Sequence, residues 1–171
     1  MGDAAATGPR AGGAASAATL LVPRIVVGAL GEEVGWRGYL HQRLDPALAP
    51  LVSSALVGAL WGAWHVGLWA NGVVYMLGLL GLMIAYSIVL YRLLAGTRFN
   101  IWVAAAFHLG INLANLPFLV VISGVGPRFI IVNAAIWAIV AAVVVVRRPD
   151  LFRRPGAALG RGTVAAVDAG Q

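Results

Sequence analysis

The sequence predicts an all-α protein: a polytopic membrane bundle of about five transmembrane helices between a disordered N-terminal head and a basic C-terminal tail. Three observations predict it. Hydrophobic residues make up 61% of the 171 residues and charged residues only 11%, whereas a soluble domain carries about a quarter charged residues. Between Thr19 and Val146 the acidic residues are Glu32, Glu33 and Asp45 alone, too few to cover a water-facing surface. The apolar residues also fall in runs close to the ~17–25 residues that cross a bilayer.

Residues 1–18, rich in Ala and Gly, are too weakly hydrophobic to span or pack and read as disordered. The apolar run that follows is interrupted by Pro23 and Arg24 and leads into Glu32 and Glu33. It therefore lacks the core and cleavage site of a signal peptide, and no cleavage is expected. The first helix runs from about Thr19 to Leu44, its second half increasingly polar. The second covers Pro50 to Ala70 and the third Val73 to Leu94. The fourth covers Ile101 to about Leu116, where Pro117 is expected to end or kink it. The fifth covers Phe129 to Val146. Residues 19–146 thus form one membrane domain, and 147–171 a basic, disordered tail.

No cysteine is present, which excludes a disulfide scaffold, thiolate metal sites and a cysteine nucleophile. The net charge of +6 rests on arginine, there being no lysine. These arginines lie at the ends of apolar runs, so they orient a membrane protein and do not mark a nucleic-acid surface. With five spans, one side holds Arg37, Arg43, Arg92, Arg98 and the five tail arginines, nine in all, against Arg10, Arg24 and Arg128 on the other. The positive-inside rule then places the C-terminus in the cytoplasm, and a multi-pass protein of the plasma membrane is expected. The tail arginines would touch anionic lipid headgroups.

An ionisable group inside a span costs roughly 2.5–3.5 kcal/mol, so each one needs a reason. The set is small: Glu32, Glu33 and Arg37 on helix one, His65 on helix two, and His108, Asn112 and Asn115 on helix four. At 100° per residue, Gly28, Gly31, Gly35 and Gly38 share a stripe on helix one, with Glu32 at its edge. Gly58, Gly62 and His65 share one on helix two; Ala104, Ala105, His108, Asn112 and Asn115 share one on helix four. Small residues mark close helix packing, so Glu32, His65 and His108 are expected to face other helices. By rise per residue, Glu32 lies ~18 Å from Leu44, His65 ~22 Å from Pro50 and His108 ~10 Å from Ile101. One mid-membrane layer accommodates all three. Glu33 and Arg37, four apart, suit a helical ion pair, which leaves Glu32 as the carboxylate available for chemistry.

Three motifs carry a resemblance. Glu32-Glu33-Val34-Gly35-Trp36-Arg37 fits EExxxR, Trp61-Gly62-Ala63-Trp64-His65 fits FxxxH with Trp61 in place of Phe, and His108-Leu109-Gly110-Ile111-Asn112 fits HxxxN/D. In this order on successive hydrophobic helices, they resemble the CAAX prenyl protease type II and bacteriocin-processing family (CPBP, also called Abi) over residues 20–122. In that family further membrane helices usually precede the EExxxR helix, which is the first here. The resemblance implies an intramembrane endopeptidase. Glu32 and His65 would bind and activate a water, with Glu32 as general base, while His108 and Asn112 would donate to the oxyanion. Glu33 and Arg37 would be structural support.

No cofactor is expected, a divalent metal such as zinc being the alternative because many members are labelled metalloproteases. The expected partners are membrane lipid and a peptide or protein substrate, and no nucleic acid. A prenylated C-terminal peptide, a bacteriocin leader and a membrane-protein segment all fit as substrate; oligomeric state is open. The competing reading is a non-catalytic membrane scaffold or bacteriocin-immunity protein. Intramembrane His and Asn often serve only as interhelical hydrogen-bond partners. His41 reads as an interfacial residue, Asn115 as either part of the polar face or a helix-end cap, and Trp61, Trp64 and Trp69 as packing or interfacial anchors.

Overall fold

The computed structural model describes residues 23, 26–121 and 126–153. All regular structure among them is helical. Helix α1 covers 26–44 and includes a π-helical stretch, Val34–His41, before its last turn Gln42–Leu44. Helix α2 is Pro50–Trp64, followed by a 3-10 segment, Val66–Asn71. Helices α3 (Val73–Ala95), α4 (Ile101–Val121), α5 (Pro127–Arg147) and the short α6 (Pro149–Phe152) complete the order. Pro50 and Pro127 open their helices, where a missing N–H costs nothing. Gly72, at φ 88°, makes the turn into α3 that a residue with a Cβ resists.

Helix α4 does not end at Pro117. It continues to Val121, since a membrane helix tolerates proline when its neighbours satisfy the freed carbonyl. Helix α2 ends earlier than expected, at Trp64, and the chain from Val66 to Asn71 winds more tightly. The expected head, residues 1–18, lies outside the described residues. The tail does not begin disordered at Arg147: that residue closes α5, and α6 buries Phe152 against Tyr91 at 5.6 Å between ring centroids. An aromatic beside the helix end gives these few residues a reason to fold.

Helix α3 is central, with α2 packed on one side and α5 on the other. Close approach depends on glycine. A Cβ at Gly58 would lie 2.6 Å from both Ile84 Cα and Met83 O, and one at Gly78 would lie 2.9 Å from an Ile130 methyl. Gly58→Val is therefore expected to destabilise the bundle by about 1–3 kcal/mol through overpacking. Gly28→Ala, which meets nothing within 4 Å, should leave stability unchanged or slightly raised. Thermal unfolding of the two variants in detergent checks the contrast.

The glycine stripe of α1 corrects an expectation. Gly28, Gly31 and Gly35 have no neighbour within 4 Å, and only Gly38 touches another helix, at Ile101. The buried positions are instead Ala29, Glu33, Arg37 and His41. They repeat every four residues, a longer period than the 3.6 of an α-helix, as the wider turns of a π segment allow.

His41 is accordingly not interfacial. It is fully buried, with its ring 5.2 Å from that of Tyr91 and 5.8 Å from that of Phe99. Its Nε2 faces the Ser53 and Ser54 hydroxyls, each at 3.4 Å. Ser53 donates to Asp45 at 2.7 Å and the Tyr91 hydroxyl donates to the other Asp45 oxygen at 3.1 Å. This polar clasp ties the end of α1 to α2 and α3.

Among the described residues two helices, α3 and α5, are long and apolar enough to cross a membrane. On α5, Val132, Ile136, Ile139, Val143 and Val146 form an exposed apolar stripe at helical spacing. A soluble monomer seldom exposes such a face; lipid would cover it.

Candidate active site

The site begins where α2 ends. The Trp61 carbonyl would ordinarily accept the N–H of residue 65, but His65 leaves the helix at φ −74°, ψ 54° and gives its N–H to Gly62 O at 3.3 Å. The orphaned carbonyl is taken by the side chain: His65 Nδ1 lies 2.8 Å from Trp61 O. A carbonyl only accepts, so Nδ1 carries the hydrogen and Nε2 is left with its lone pair. The break in the helix thus fixes both the ring and its tautomer.

Trp61 is buried and holds the second functional group as well. Its indole Nε1–H donates to Glu32 Oε2 at 2.7 Å, a bond strengthened by the carboxylate charge. The Arg37 guanidinium lies over the same ring, 4.4 Å from its centroid, a cation–π contact. The His108 ring meets it edge-on at 4.9 Å. The sequence marked Trp61 as a replacement for Phe and as packing; its donor role was not legible there.

Behind Trp61 lies a buried triad. Glu33 Oε1 accepts from Arg37 Nη1 and from His108 Nδ1, both at 2.9 Å. Exposures of 0% for Glu33, 1% for Arg37 and 4% for His108 make mutual compensation a condition for burying these groups. The expected Glu33–Arg37 pair is present, and His108 joins it across 75 residues of sequence. Beside the Arg37-paired carboxylate, His108 Nδ1 must carry hydrogen, which leaves Nε2 to face elsewhere.

His65, His108 and Asn112 line one cavity of about 190 Å³ between α2, α3, α4 and α5, with Trp61 in its wall. Glu32 is not among its lining residues. It opens instead on a groove bordered by Gly31, Gly35, Trp36, Tyr39 and Trp64. Among the described residues no hydrogen bond joins Glu32 to His65 or His108; all three meet Trp61. Asn115 is not a free cap: it donates to Ile111 O at 2.7 Å and accepts from Asn133 of α5 at 3.2 Å. Asn133 is a polar residue of α5 that sequence reasoning passed over. Its only signal was an amide inside an apolar run.

The fold and site together define a membrane-embedded helical bundle whose polar groups gather on an acidic and histidine-bearing face inside apolar walls. Over residues 14–114 the chain matches the family described as Type II CAAX prenyl endopeptidase, Rce1-like. It belongs to that family, a membrane-embedded family of proteases. Comparison with curated proteins gave no match.

Proposed function

We propose that the protein is an intramembrane endopeptidase that hydrolyses a peptide bond of a membrane-associated or prenylated CAAX-type peptide, using water activated by Glu32 and His65. One observation carries this reading: Trp61 tethers both groups, Glu32 through its indole and His65 through its main-chain carbonyl. Neither tether uses Glu32 Oε1 or His65 Nε2; Glu32 borders the groove and His65 the cavity, so the reading requires a water held beside Trp61 that reaches both.

In the reaction, that water adds to the carbonyl carbon as Glu32 accepts its proton. The oxyanion that forms takes hydrogen bonds from Asn112 Nδ2 and from His108 Nε2, which donates when the ring is an imidazolium held by Glu33. Preorganised donors of this kind are typically the largest electrostatic contribution to acyl transfer. Collapse breaks the C–N bond, and Glu32 returns the proton to the leaving amine. The products are a carboxylate and a free amine.

The reading is metal-independent. What supports it is the donor set: zinc takes three or four protein ligands, and no group of three or more His, Cys, Asp or Glu is arranged for a metal among the described residues. We further read the chain as a multi-pass protein of the plasma membrane with five spans and a cytoplasmic C-terminus, on the arginine distribution given above.

The test is cleavage of a fluorescent prenylated CAAX peptide by the full chain in liposomes, with products identified by mass. Cleavage with a rate unchanged by a strong chelator is the expected result. Loss on chelation and recovery with zinc would overturn the metal-free mechanism. No cleavage at all would favour the non-catalytic scaffold.

A further inference from the structure

The cavity that holds His65, His108 and Asn112 has a second polar end that the mechanism above does not use. There Tyr86 of α3, Asn115 of α4 and Asn133 of α5 converge. Asn133 Nδ2 donates to Asn115 Oδ1 at 3.2 Å, and the Tyr86 hydroxyl lies beside both amides. Tyr86, Asn115 and Asn133 also line an outward-opening groove of about 280 Å³ between α4 and α5, whose remaining walls include the apolar Val132 and Ile136. The cavity and the groove thus share the wall formed by Tyr86, Asn115 and Asn133, and the groove opens beside the exposed apolar face of α5.

A pair of amides that served only to join two helices would be sealed between them. These are half-buried and border both spaces. Both also lie beyond the residues 14–114 that match the family.

Carboxamides carry the same donor and acceptor as a peptide group. A peptide that enters from lipid must have its main-chain N–H and C=O groups satisfied, because no water is there to do so. From His108 to Asn115 is seven residues along one helix, ~10 Å of rise. An extended peptide covers that in about three residues, at ~3.3 Å each.

We propose that Tyr86, Asn115 and Asn133 form a subsite that hydrogen-bonds the main chain of an extended peptide substrate, about three residues from the cleaved bond, on a lateral access path between α4 and α5. This rests on the proteolytic reading, and its failure is separable from that of the reading.

The experiment uses the full chain in liposomes and the fluorescent prenylated CAAX peptide, together with versions shortened to two residues on either side of the cleaved bond. Asn133→Leu, close in volume but without hydrogen-bonding groups, should raise KM for the full peptide about three- to thirty-fold, the range of one or two lost hydrogen bonds, while kcat changes much less. For one of the shortened peptides, Asn133→Leu should match the unsubstituted protein. Equal losses on all three peptides, or a fall in kcat alone, would overturn the subsite and leave a structural amide pair.

A photo-crosslinking residue at position 136 gives a readout that needs no turnover. Capture of the peptide, reduced by Asn133→Leu, supports the subsite even if no cleavage is seen. Capture of lipid alone overturns it. Glu32→Gln, measured in parallel, reports on the proteolytic reading by itself.

Discussion

Glu32→Gln is expected to lower kcat for peptide cleavage by about 10²–10⁴-fold, the range contributed by a positioned general base, with the fold intact. The geometry separates these two effects. Glu32 is only half-buried and forms no ion pair among the described residues. A glutamine at that place keeps an oxygen for the Trp61 indole N–H but cannot take a proton from water. Thermal unfolding in detergent should therefore agree with the unsubstituted protein to within about 1 kcal/mol, as for a substitution that opens no cavity and buries no unpaired charge. Cleavage that survives Glu32→Gln at more than a tenth of the original kcat would remove Glu32 from the mechanism. Cleavage and folding lost together would make it a structural residue.

The neighbouring carboxylate should behave in the opposite way. Glu33→Ala strips the shared acceptor from Arg37 and His108, both nearly inaccessible. Breaking a buried pair in this manner costs about 3–5 kcal/mol, because the remaining charge stays desolvated. That is a large part of the stability of a small domain, so the expected result is poor accumulation of folded protein.

The decisive measurement is a double-mutant cycle. Glu33→Gln and Arg37→Met should each destabilise strongly, while the combination should be more stable than the sum of the two, since it leaves neither charge alone. Additive losses would show that Glu33 and Arg37 do not compensate one another. On these expectations the two adjacent glutamates divide the work: loss of Glu32 should remove activity, and loss of Glu33 the fold.

Much of this was legible in the sequence. Pro50 opens a helix where an apolar run begins, and Gly58 and Gly62 mark a face that α3 then covers. The Glu33–Arg37 pair follows from spacing alone. These are properties of a helix and its immediate neighbours, within about four residues, where backbone geometry fixes what can meet.

The misreadings share one cause. Each was read from its own helix alone: the glycine stripe on α1 assumed that small residues mark the packed face, and His41 was placed at the interface by its position near the helix end, whereas the face that packs carries Ala29, Glu33, Arg37 and His41. His65 was placed on a helical stripe, yet the helix stops one residue before it.

The sequence by itself determined an all-helical membrane-type chain, the family motifs and their order, and the residues with chemistry to offer. Tertiary structure alone decided how those residues are joined. Trp61 reaches Glu32 across 29 positions and His108 reaches Glu33 across 75, while Asn133 meets Asn115 from a different helix. Periodicity tells which way a side chain faces on its own helix. Which partner waits there depends on how separate helices pack, because a buried polar group takes whatever donor or acceptor that packing brings within about 3 Å.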